Sequence, residues 1–403
     1  MLAMLCAGCL AFTGIAVVFP AEIPAFALET EQHTSGKCGD DLTWTLDDNG
    51  TLTISGTGAM WGNYGVNRSN WNGEKWDDSL VITVILESGV ETIGKWAFSG
   101  CENLTKAVLP EGIISIGYAA FTDSGLQEIN FPESLQSVGA YPQDDEMTYG
   151  SRAFTTPGGW AIDDQYHDAP VPWLEEQRKK NPLVIVNHIL IDGMTCSGDV
   201  VIPEGVTRIE NCAFGDLAYG IARIDSVQLP STLKCIAGAV IPVFGTEPLS
   251  IPNGTERIEK NAFIGNEFPE VTLPGSLKYL DMGAFKCMEL PCINILNPEC
   301  EMEGELNSKL HKIRGYENST AEAYAKKNNI PFESLGAAPK YGDVNNDESI
   351  DLQDVTLMRR ALAGWDVTLN ETAADVNKDG SFDLKDVVIL RRYLAGGWEI
   401  ELN

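Results

Sequence analysis

Residues 93–121 read IGKWAFSGCENLTKAVLPEGIISIGYAAF, and the same short motif stands at both ends of this stretch. In each copy an Ile-Gly pair is followed, after two further residues, by Ala-Phe, and a strand-like segment ending in Pro110 separates the copies. Proline cannot donate a hydrogen bond to a neighbouring strand, so it ends the segment. Recurrence of a motif at a short spacing predicts a fold of stacked structural repeats.

The motif recurs along the middle of the chain, with steps of 23, 22, 71, 27, 22 and 22 residues between successive copies. The copy at Ile236 lacks the phenylalanine, and an insertion separates Val138-Gly139 from Ala153-Phe154. One unit cannot bury its own apolar side, so stacked copies should align their Ile, Ala and Phe positions in a continuous core. We predict that the glycine after the isoleucine allows a sharp corner. The copies begin at Ile93, Ile116, Val138, Ile209, Ile236, Ile258 and Leu280.

Each unit also contains a short strand-like segment that ends in proline. These prolines are Pro110, Pro132, Pro203, Pro230, Pro252 and Pro274. The pattern I-G-x-x-A-F followed by L-x-x-V-x-L-P resembles the BspA-like class of leucine-rich repeats, which is found on secreted bacterial proteins. The resemblance covers about residues 79–335 and implies a mainly β leucine-rich-repeat solenoid with an insertion at about 139–200.

Segments on both sides of this repeat array (residues 79–335) are predicted to close its ends. Residues 42–46 and 51–55 alternate apolar and polar positions around a turn-forming Asp-Asp-Asn-Gly, which predicts a β-hairpin. We expect this hairpin, within residues 37–78, to cap the amino-terminal edge, because a solenoid needs capped ends for solubility. Residues 320–328 have helix-forming composition and should close the other end, and residues 336–340 look like a short linker.

The carboxyl-terminal segment carries one oxygen-rich loop twice. The sequence DVNNDESIDLQD begins at Asp343 and DVNKDGSFDLKD begins 32 residues later at Asp375, and 14 of the 22 aligned positions onward are identical. Oxygen ligands at loop positions 1, 3, 5, 9 and 12, with the carbonyl of position 7, suit Ca²⁺, which takes six to eight oxygens. The candidate ligands are Asp343, Asn345, Asp347, Ser349, Asp351 and Asp354 in the first loop, and Asp375, Asn377, Asp379, Ser381, Asp383 and Asp386 in the second.

Both loops depart from the EF-hand pattern, and an amphipathic helix is predicted after each. Position 12 is aspartate rather than glutamate, and Glu348 occupies position 6, where the sharp turn favours glycine. We therefore expect the first loop to be more strained, and to bind calcium more weakly, than the second, which keeps Gly380. The apolar residues of the two helices fall on one face, at Val355, Met358 and Leu362 and at Val387, Leu390 and Leu394.

The doubled loop-then-helix unit resembles the type I dockerin domain over residues 341–403. The resemblance implies a small all-α module with two calcium loop-helix units of the F-hand type, two bound Ca²⁺ ions, and docking to the cohesin domain of a cellulosome scaffoldin. It implies that the partner is read by Leu352, Gln353, Arg359, Arg360, Leu384, Lys385, Arg391 and Arg392. The competing interpretation, an acidic solvated tail, does not explain the regular spacing of the carboxylates.

Composition limits the classes of partner. The chain has 403 residues, a formal charge of −30 and a pI near 4.4, which argues against nucleic acid and anionic membranes because both bind basic patches. Residues 1–27 end in Ala-Phe-Ala after an apolar run, which predicts a signal peptide cleaved after Ala27. A lipoprotein at Cys9 and a retained anchor are the weaker alternatives. We expect a secreted, extracellular protein associated with a cellulosome or a cell surface.

Three further features leave alternatives open. Aromatic and acidic residues in the insertion, among them Asp163 and Glu175, could form a sugar-binding platform or the acid pair of a glycosidase, but an inserted loop with a helix at 173–180 is favoured. The tryptophans Trp61, Trp71 and Trp76 belong either to the core of the cap or to a carbohydrate-facing surface. Most cysteines should be buried core residues, with Cys287 and either Cys292 or Cys300 as the predicted bridge.

These observations favour a secreted, non-catalytic interaction or adhesion protein. Its repeats would bind a protein or a polysaccharide, and its dockerin would attach it to a cellulosome scaffold. The alternative is a dockerin-bearing hydrolase that cleaves the O-glycosyl bonds of polysaccharides. No nucleophile motif or phosphate-binding glycine loop occurs in the sequence, and the paired acids that a hydrolase needs are not fixed by it.

Overall fold

The computed structural model describes residues 34–62, 75–140, 153–156, 169–216, 220–221, 223–238, 249–264, 266, 268–286, 289–305 and 309–396. The predicted signal peptide, residues 1–27, lies outside the described residues, and so do Trp71, Asp163 and Cys287. Among the described residues, no helix has both the length and the apolar composition that a membrane span requires.

Most of the regular elements in the described chain are short strands. The first half contains β1 (Ser35–Lys37), β2 (Asp41–Leu46), β3 (Thr51–Ala59), β4 (Thr83–Leu86), β5 (Val90–Ile93), β6 (Lys106–Val108), β7 (Ser115–Gly117), β8 (Glu128–Ile129) and β9 (Ser137–Ala140). The middle contains β10 (Thr155–Thr156), β11 (Ala169–Pro170), β12 (Val184–Val186), β13 (Ile189–Asp192) and β14 (Ser197–Val201).

The second half begins with β15 (Arg208–Ile209), β16 (Gly215–Asp216), β17 (Gly220–Ile221), β18 (Arg223–Gln228), β19 (Cys235–Ile236), β20 (Leu249–Ser250), β21 (Arg257–Ile258) and β22 (Val271–Leu273). It continues with β23 (Tyr279–Asp281), β24 (Glu289–Leu290), β25 (Ile293–Ile295), β26 (Glu301–Glu303), β27 (Lys309–Leu310), β28 (Ile313–Gly315) and β29 (Phe332–Ser334). The helices are α1 (Pro172–Lys180), α2 (Thr320–Lys327), α3 (Leu352–Leu362), α4 (Glu371–Ala374) and α5 (Leu384–Leu394), with 3-10 turns at Asp78–Leu80 and Met282–Phe285.

Successive coils stack in parallel and form two faces of a β-solenoid. β3 starts both faces, because its first residues pair with β4 and its last residues pair with β5. β6 and β8 continue one face, and β7 and β9 continue the other. The register places Ile93 beside Ile116 and Ile116 beside Val138, so equivalent positions of the sequence repeat lie one above the other.

The predicted cap is present as an antiparallel hairpin of β2 and β3, with β1 added to its edge. Alternate residues of β2 point inward, so that Leu42, Trp44 and Leu46 are buried while their neighbours are exposed. This alternation is the period-2 pattern of a strand with one face on a core. The hairpin thereby covers the amino-terminal edge of the solenoid.

The second half repeats the same plan. β13, β15, β19, β21, β23 and β26 form one parallel face, and β20, β22, β25, β28 and β29 form the other. β12 and β13 lie within 139–200, where an insertion was predicted, and β13 pairs in parallel with β15, so the coils resume at Val184. The helix predicted at 173–180 is confirmed as α1, which has Pro172 in its first turn, where the missing N–H of proline costs nothing.

Contacting aromatic rings run through the core of the first half, and they are stacked except for the edge-to-face pair of Trp44 and Trp76. Neighbouring ring centroids are 5.7 Å apart for Trp44 and Trp76, 5.7 Å for Trp76 and Phe98, 5.3 Å for Phe98 and Phe121, and 5.4 Å for Phe121 and Phe154. In the second half the Phe263 and Phe285 rings stack at 5.6 Å. The Ala and Phe positions of the motif are all buried, which confirms their predicted role in the core.

The glycines at the second motif position do not all share one backbone conformation. A left-handed backbone, which glycine adopts without strain at a sharp corner, is found at Gly139 after Val138, with a φ of 83°, but not at Gly94 or Gly117. A Cβ on Gly117 would lie 2.7 Å from the backbone nitrogen of Lys95, and one on Gly94 would overlap the carbonyl of Trp61. These glycines therefore allow adjacent coils to approach closely.

Buried polar contacts join the two halves of the array. The N–H of Val138 donates to Glu210 Oε1 at 2.8 Å, and Arg208 Nε donates to the same oxygen at 2.8 Å. On α1, Arg178 forms a two-point ion pair with buried Asp192, at 2.9 and 2.7 Å. Each buried carboxylate is thus paired, as its removal from water requires.

The carboxyl-terminal end of the array is closed by α2 and β29. Ser319 caps α2 by accepting the N–H of Glu322 at 3.2 Å, and Ala321 and Ala325 face the core. This helix confirms the prediction made for residues 320–328. Cys292 and Cys300 carry free thiols, so the bridge that was predicted to join one of them to Cys287 is wrong.

Candidate calcium-binding and docking site

The C-terminal module (residues 341–396 of the described chain) is built from the two predicted loops and the helices that follow them. In the first loop the N–H of Asp347 donates to Asp343 Oδ1 at 3.1 Å and to Asn345 Oδ1 at 2.9 Å. The N–H of Ser349 donates to Asp347 Oδ1 at 2.9 Å. Positions 1, 3 and 5 are thereby gathered around one peptide group of the loop.

Asp354, at position 12, closes the first loop from the other side. It accepts the N–H of Val344 at 2.9 Å and the N–H of Asp351 at 2.8 Å, and it is fully buried. Asp351, at position 9, caps α3 by accepting the N–H of Gln353 at 2.6 Å. The loop therefore ends in a capping box that starts the helix.

The second loop repeats this arrangement nearly bond for bond. Asp375 accepts the N–H of Asp379 at 3.0 Å and that of Gly380 at 2.7 Å. Asp386 accepts the N–H of Asn377 at 3.1 Å and that of Asp383 at 2.8 Å, and a second capping box begins α5. The likeness in sequence is thus a likeness in geometry.

A small hydrophobic core holds the two loop-helix units together. α3 and α5 contribute Val355, Met358, Val387 and Leu390, all buried, and Val344 and Val376 from the loops complete the same cluster. The predicted apolar faces of the two helices are confirmed at these positions. Leu362 and Leu394 lie nearer the surface, and the short α4 precedes the second loop.

Burial raises the pKa of two carboxyls in the second loop. It raises the pKa of the Asp375 carboxyl to about 6, and the nearby carboxylates of Asp386 and Asp379 act in the same direction. Burial also raises the pKa of Asp386. A cation placed among these carboxylates would favour their charged forms, so calcium binding and proton release are linked.

The donor chemistry of both loops fits Ca²⁺. Each loop offers oxygen atoms alone, which is what this hard cation prefers. Within the described residues, no three Asp, Glu, His or Cys side chains form a finished metal cage, and the loop carboxylates accept backbone N–H groups. The ion, when bound, would supply the positive charge that holds these oxygens together. The residues that would hold it are the twelve named from the sequence.

A docking face remains open on the module. Leu352 and Leu384, at the starts of α3 and α5, are 70% and 69% exposed. The other positions to which the resemblance gave a partner-reading role are also exposed, namely Gln353, Arg359, Arg360, Lys385, Arg391 and Arg392. Three exposed residues that the sequence reading did not include are Trp365, Val388 and Tyr393. Trp365 is 62% exposed, and the Arg360 guanidinium lies 5.5 Å from its ring.

Two family models match this chain. Residues 341–395 match the type I dockerin domain, and residues 76–142 and 194–306 match the BspA type leucine rich repeat region in 6 copies. The chain carries a BspA-type leucine-rich repeat region and a type I dockerin domain. The dockerin implies calcium binding and docking to a cohesin, and with them cellulosome association and an extracellular place. The repeats imply an interaction with a further ligand.

Solved structures of bacterial leucine-rich repeat proteins are also similar to the chain. One from Eubacterium ventriosum is 18% identical and covers 77% of this chain and 87% of its own, at a TM-score of 0.25. One from Bacteroides ovatus is 17% identical and covers 69% of this chain and 70% of its own, at a TM-score of 0.23. The pneumococcal vaccine antigen PcpA is 12% identical and covers 77% of this chain and 100% of its own, at a TM-score of 0.28. TM-scores this low do not establish a shared overall shape. No curated protein matches the chain.

Among the described residues, the other candidates from the sequence, Glu175, Trp61 and Trp76, lie outside the dockerin loops. Glu175 lies on α1 with a 58% exposed side chain, 3.2 Å from Lys179 Nζ. Trp76 is 3% exposed and belongs to the core, whereas Trp61 is half-buried and its indole N–H donates to Asp40 at 3.1 Å. Of the alternatives for these two tryptophans, the structure confirms the core position for Trp76.

Proposed function

We propose that this protein is a secreted, non-catalytic interaction protein whose array binds a protein or a polysaccharide and whose dockerin attaches it to a cohesin on a cellulosome scaffold. The observation that carries the proposal is the matched pair of loop-helix units. In each unit, carboxylates close on the loop while the adjoining helix presents an exposed leucine and two arginines. Attachment to a scaffold raises the local concentration of whatever the array binds.

Two calcium ions support this function by ordering the dockerin. The proposed ligands of the first ion lie between Asp343 and Asp354, and those of the second lie between Asp375 and Asp386. The aspartates at loop positions 9 and 12 also form the capping box of the helix that follows. An ion that orders the loop therefore also orders the start of the helix, where the docking face lies. The free energy of ion binding then contributes directly to the folding free energy of the dockerin.

The test is binding of the full chain to a panel of recombinant cohesin domains, followed by calorimetry. We expect binding with calcium and its loss with excess chelator. The double variant Asp343→Ala/Asp375→Ala, which removes position 1 of both loops, should weaken binding at least about a hundredfold in the presence of calcium. Asp366→Ala, an exposed aspartate of the same module outside the loops, is the matched control. Unchanged affinity under chelator would refute the proposal.

A second assay separates this function from the hydrolase alternative. The chain would be incubated with plant polysaccharides and the release of reducing sugar measured. Sustained turnover that is lost in Asp163→Asn or Glu175→Gln would overturn the non-catalytic part of the proposal. Turnover that persists in both variants, at the level of a mock preparation, would indicate a contaminating enzyme and leave the proposal standing.

A further inference from the structure

The two calcium loops, nearly identical in sequence, differ in their surroundings. Asn345 and Asp347 of the first loop are exposed, whereas the equivalent Asn377 and Asp379 of the second loop are half-buried. Asn345 and Asn377 accept the equivalent backbone N–H in the two loops. Only part of the difference arises inside the module, where Lys385 Nζ, whose equivalent beside the first loop is Gln353, donates to Asp379 Oδ2 at 3.3 Å. The second loop faces the proline turns of the repeat array.

Close contacts join this loop to two successive coils. Gly380, at position 6, approaches Asn253 so closely that a Cβ on the glycine would overlap the asparagine side chain. A Cβ on Gly275 would lie 3.3 Å from Tyr341 Oη. Asn253 and Gly275 follow Pro252 and Pro274, so they occupy the same position in adjacent turns. Gly275 thus leaves room for Tyr341 in one turn, and Asn253 contacts the second calcium loop in the other.

Tyr341 and the second loop form one packed unit at this contact. The tyrosine is 5% exposed, and Lys378 Nζ lies 4.5 Å from the centroid of its ring, a cation-π distance. Burial raises the pKa of the Tyr341 hydroxyl to about 12. The first residue of the dockerin therefore anchors the loop, through Lys378, to the surface on which both rest.

A cleft of about 300 Å³ lies between the array and the loop, and its walls carry complementary charge. Lys234 and Lys278 project from the array and pair with Glu256 at 3.3 and 2.9 Å. Asp379 and Lys378 line the opposite wall. Both walls thus offer charges of both signs, so the loop can be held against the array without an uncompensated charge.

The loop shape that fits this surface is the closed one. Lys378 and Gly380 have φ of 58° and 83°, and the N–H groups of Asp379 and Gly380 point to Asp375. A bound ion would draw the side-chain oxygens of Asp375, Asn377 and Asp379 together and hold this shape, whereas without it the carboxylates of Asp375 and Asp379 repel each other. Ion binding and seating on the array favour the same conformation, so each must strengthen the other.

We propose that the second calcium loop is seated on the proline turns of the repeat array and that calcium in this loop fixes the orientation of the dockerin relative to the repeats. The proposal rests on the calcium binding of the proposed function and adds a surface within the chain as the second loop's partner. The first loop and the exposed starts of α3 and α5 stay free for the cohesin.

The test uses the full chain with Asn253→Trp, which fills the contact from the array side and leaves every dockerin residue in place. Glu204→Trp is the matched control, because Glu204 is exposed in the same Pro-x-Gly turn position of another coil. Calcium titration by calorimetry should show two sites in the wild type. Asn253→Trp should weaken one of them about tenfold and leave the other unchanged. Glu204→Trp should change neither.

A distance measurement reads the seating directly. Spin labels on non-canonical residues replace Lys326 of α2 and Asp366 of the dockerin, both exposed, so that the native cysteines stay untouched. Pulsed electron paramagnetic resonance should give a narrow distance distribution with calcium in the wild type and in Glu204→Trp, and a broad one in Asn253→Trp. Chelator should broaden all three.

The outcomes separate the two proposals. If Asn253→Trp behaves like Glu204→Trp in both measurements, with two calcium sites intact, the seating is wrong and the proposed function stands. If the wild-type chain binds no calcium, the proposed function fails. A narrow distribution that persists under chelator would show that the contact does not depend on calcium and would overturn the inference.

Discussion

Among single residues, Glu348 is where the two calcium loops differ most in backbone cost. It has a φ of 68°, in the left-handed region that disfavours residues with a Cβ, while Gly380 takes the same place at 83°. A residue held in this region costs on the order of 1 kcal/mol, partly offset in a glycine variant by the freer unfolded chain. We therefore expect Glu348→Gly to tighten calcium binding at the first loop about threefold by calorimetry.

The control for this variant is Glu348→Ala, which removes the same carboxylate but keeps the Cβ. If backbone strain limits the first loop, the alanine variant should bind calcium no more tightly than the wild type. Equal gains in both variants would instead assign the effect to the lost charge. Lys340 Nζ donates to the backbone carbonyl of Glu348. Neither substitution removes this carbonyl, so the two variants differ in the Cβ and not in this bond.

Residue roles that depend on spacing along the chain could be predicted from the sequence, and those that depend on a neighbouring coil could not. The loop aspartates fall at fixed positions, so their convergence on one loop follows from local geometry. Gly117 is needed because the backbone of Lys95, 22 residues earlier, lies against it in the neighbouring coil, and no local sequence pattern predicts that contact.

For the coil as an element, this close approach makes a prediction. Gly117→Ala would place a methyl group 2.7 Å from the nitrogen of Lys95, and neither backbone can move without disturbing the stack. We expect a loss of about 1–3 kcal/mol in the free energy of unfolding of the array, the usual cost of overpacking. Denaturant unfolding followed by circular dichroism measures it.

Gly62→Ala is the matched control for this substitution. Its added methyl would lie 3.5 Å from Lys95, an ordinary van der Waals distance, and Gly62 is not among the described glycines with positive φ. Stability should change by less than about 0.5 kcal/mol. Equal destabilisation by the two variants would mean that the intrinsic preference of the backbone, rather than the approach of the coils, requires glycine after the motif isoleucine.

Elements with strong local signals were predictable, and the shortest ones were not. The cap hairpin, α1, α2, α3 and α5 all follow from periodicity, proline and capping residues read in the sequence. α4 escaped prediction because a helix of this length has no period to detect. β12 and β13 were hidden because their coil lacks the I-G-x-x-A-F motif, and only the pairing of β13 with β15 shows that they belong to the stack.

At the scale of the whole molecule, the buried apolar side chains of the described residues form three hydrophobic clusters. Two lie in the halves of the array and the third lies in the dockerin. The division into array and dockerin was visible in the sequence because each part repeats within itself. The contact of Gly380 with Asn253 was not, since it joins residues far apart in the chain and leaves no periodic trace.

The separate clusters predict how the full chain unfolds when calcium is removed. The dockerin cluster is small and is joined to the loop carboxylates through the capping boxes of α3 and α5, whereas the array clusters contain none of the proposed ligands. In differential scanning calorimetry, chelator should therefore abolish the dockerin transition and shift that of the array by no more than about 2 °C.

Asp343→Ala/Asp375→Ala, scanned with calcium present, should reproduce the thermogram of the chelated wild type, because it removes the same ions by a different route. A large fall in the array transition in both experiments would mean that the two parts unfold as one cooperative unit. The dockerin would then act as a structural cap of the solenoid, since loss of a capping element exposes the apolar edge of the last coil. Independent transitions instead fit a dockerin that is seated on the array but folds around its own core.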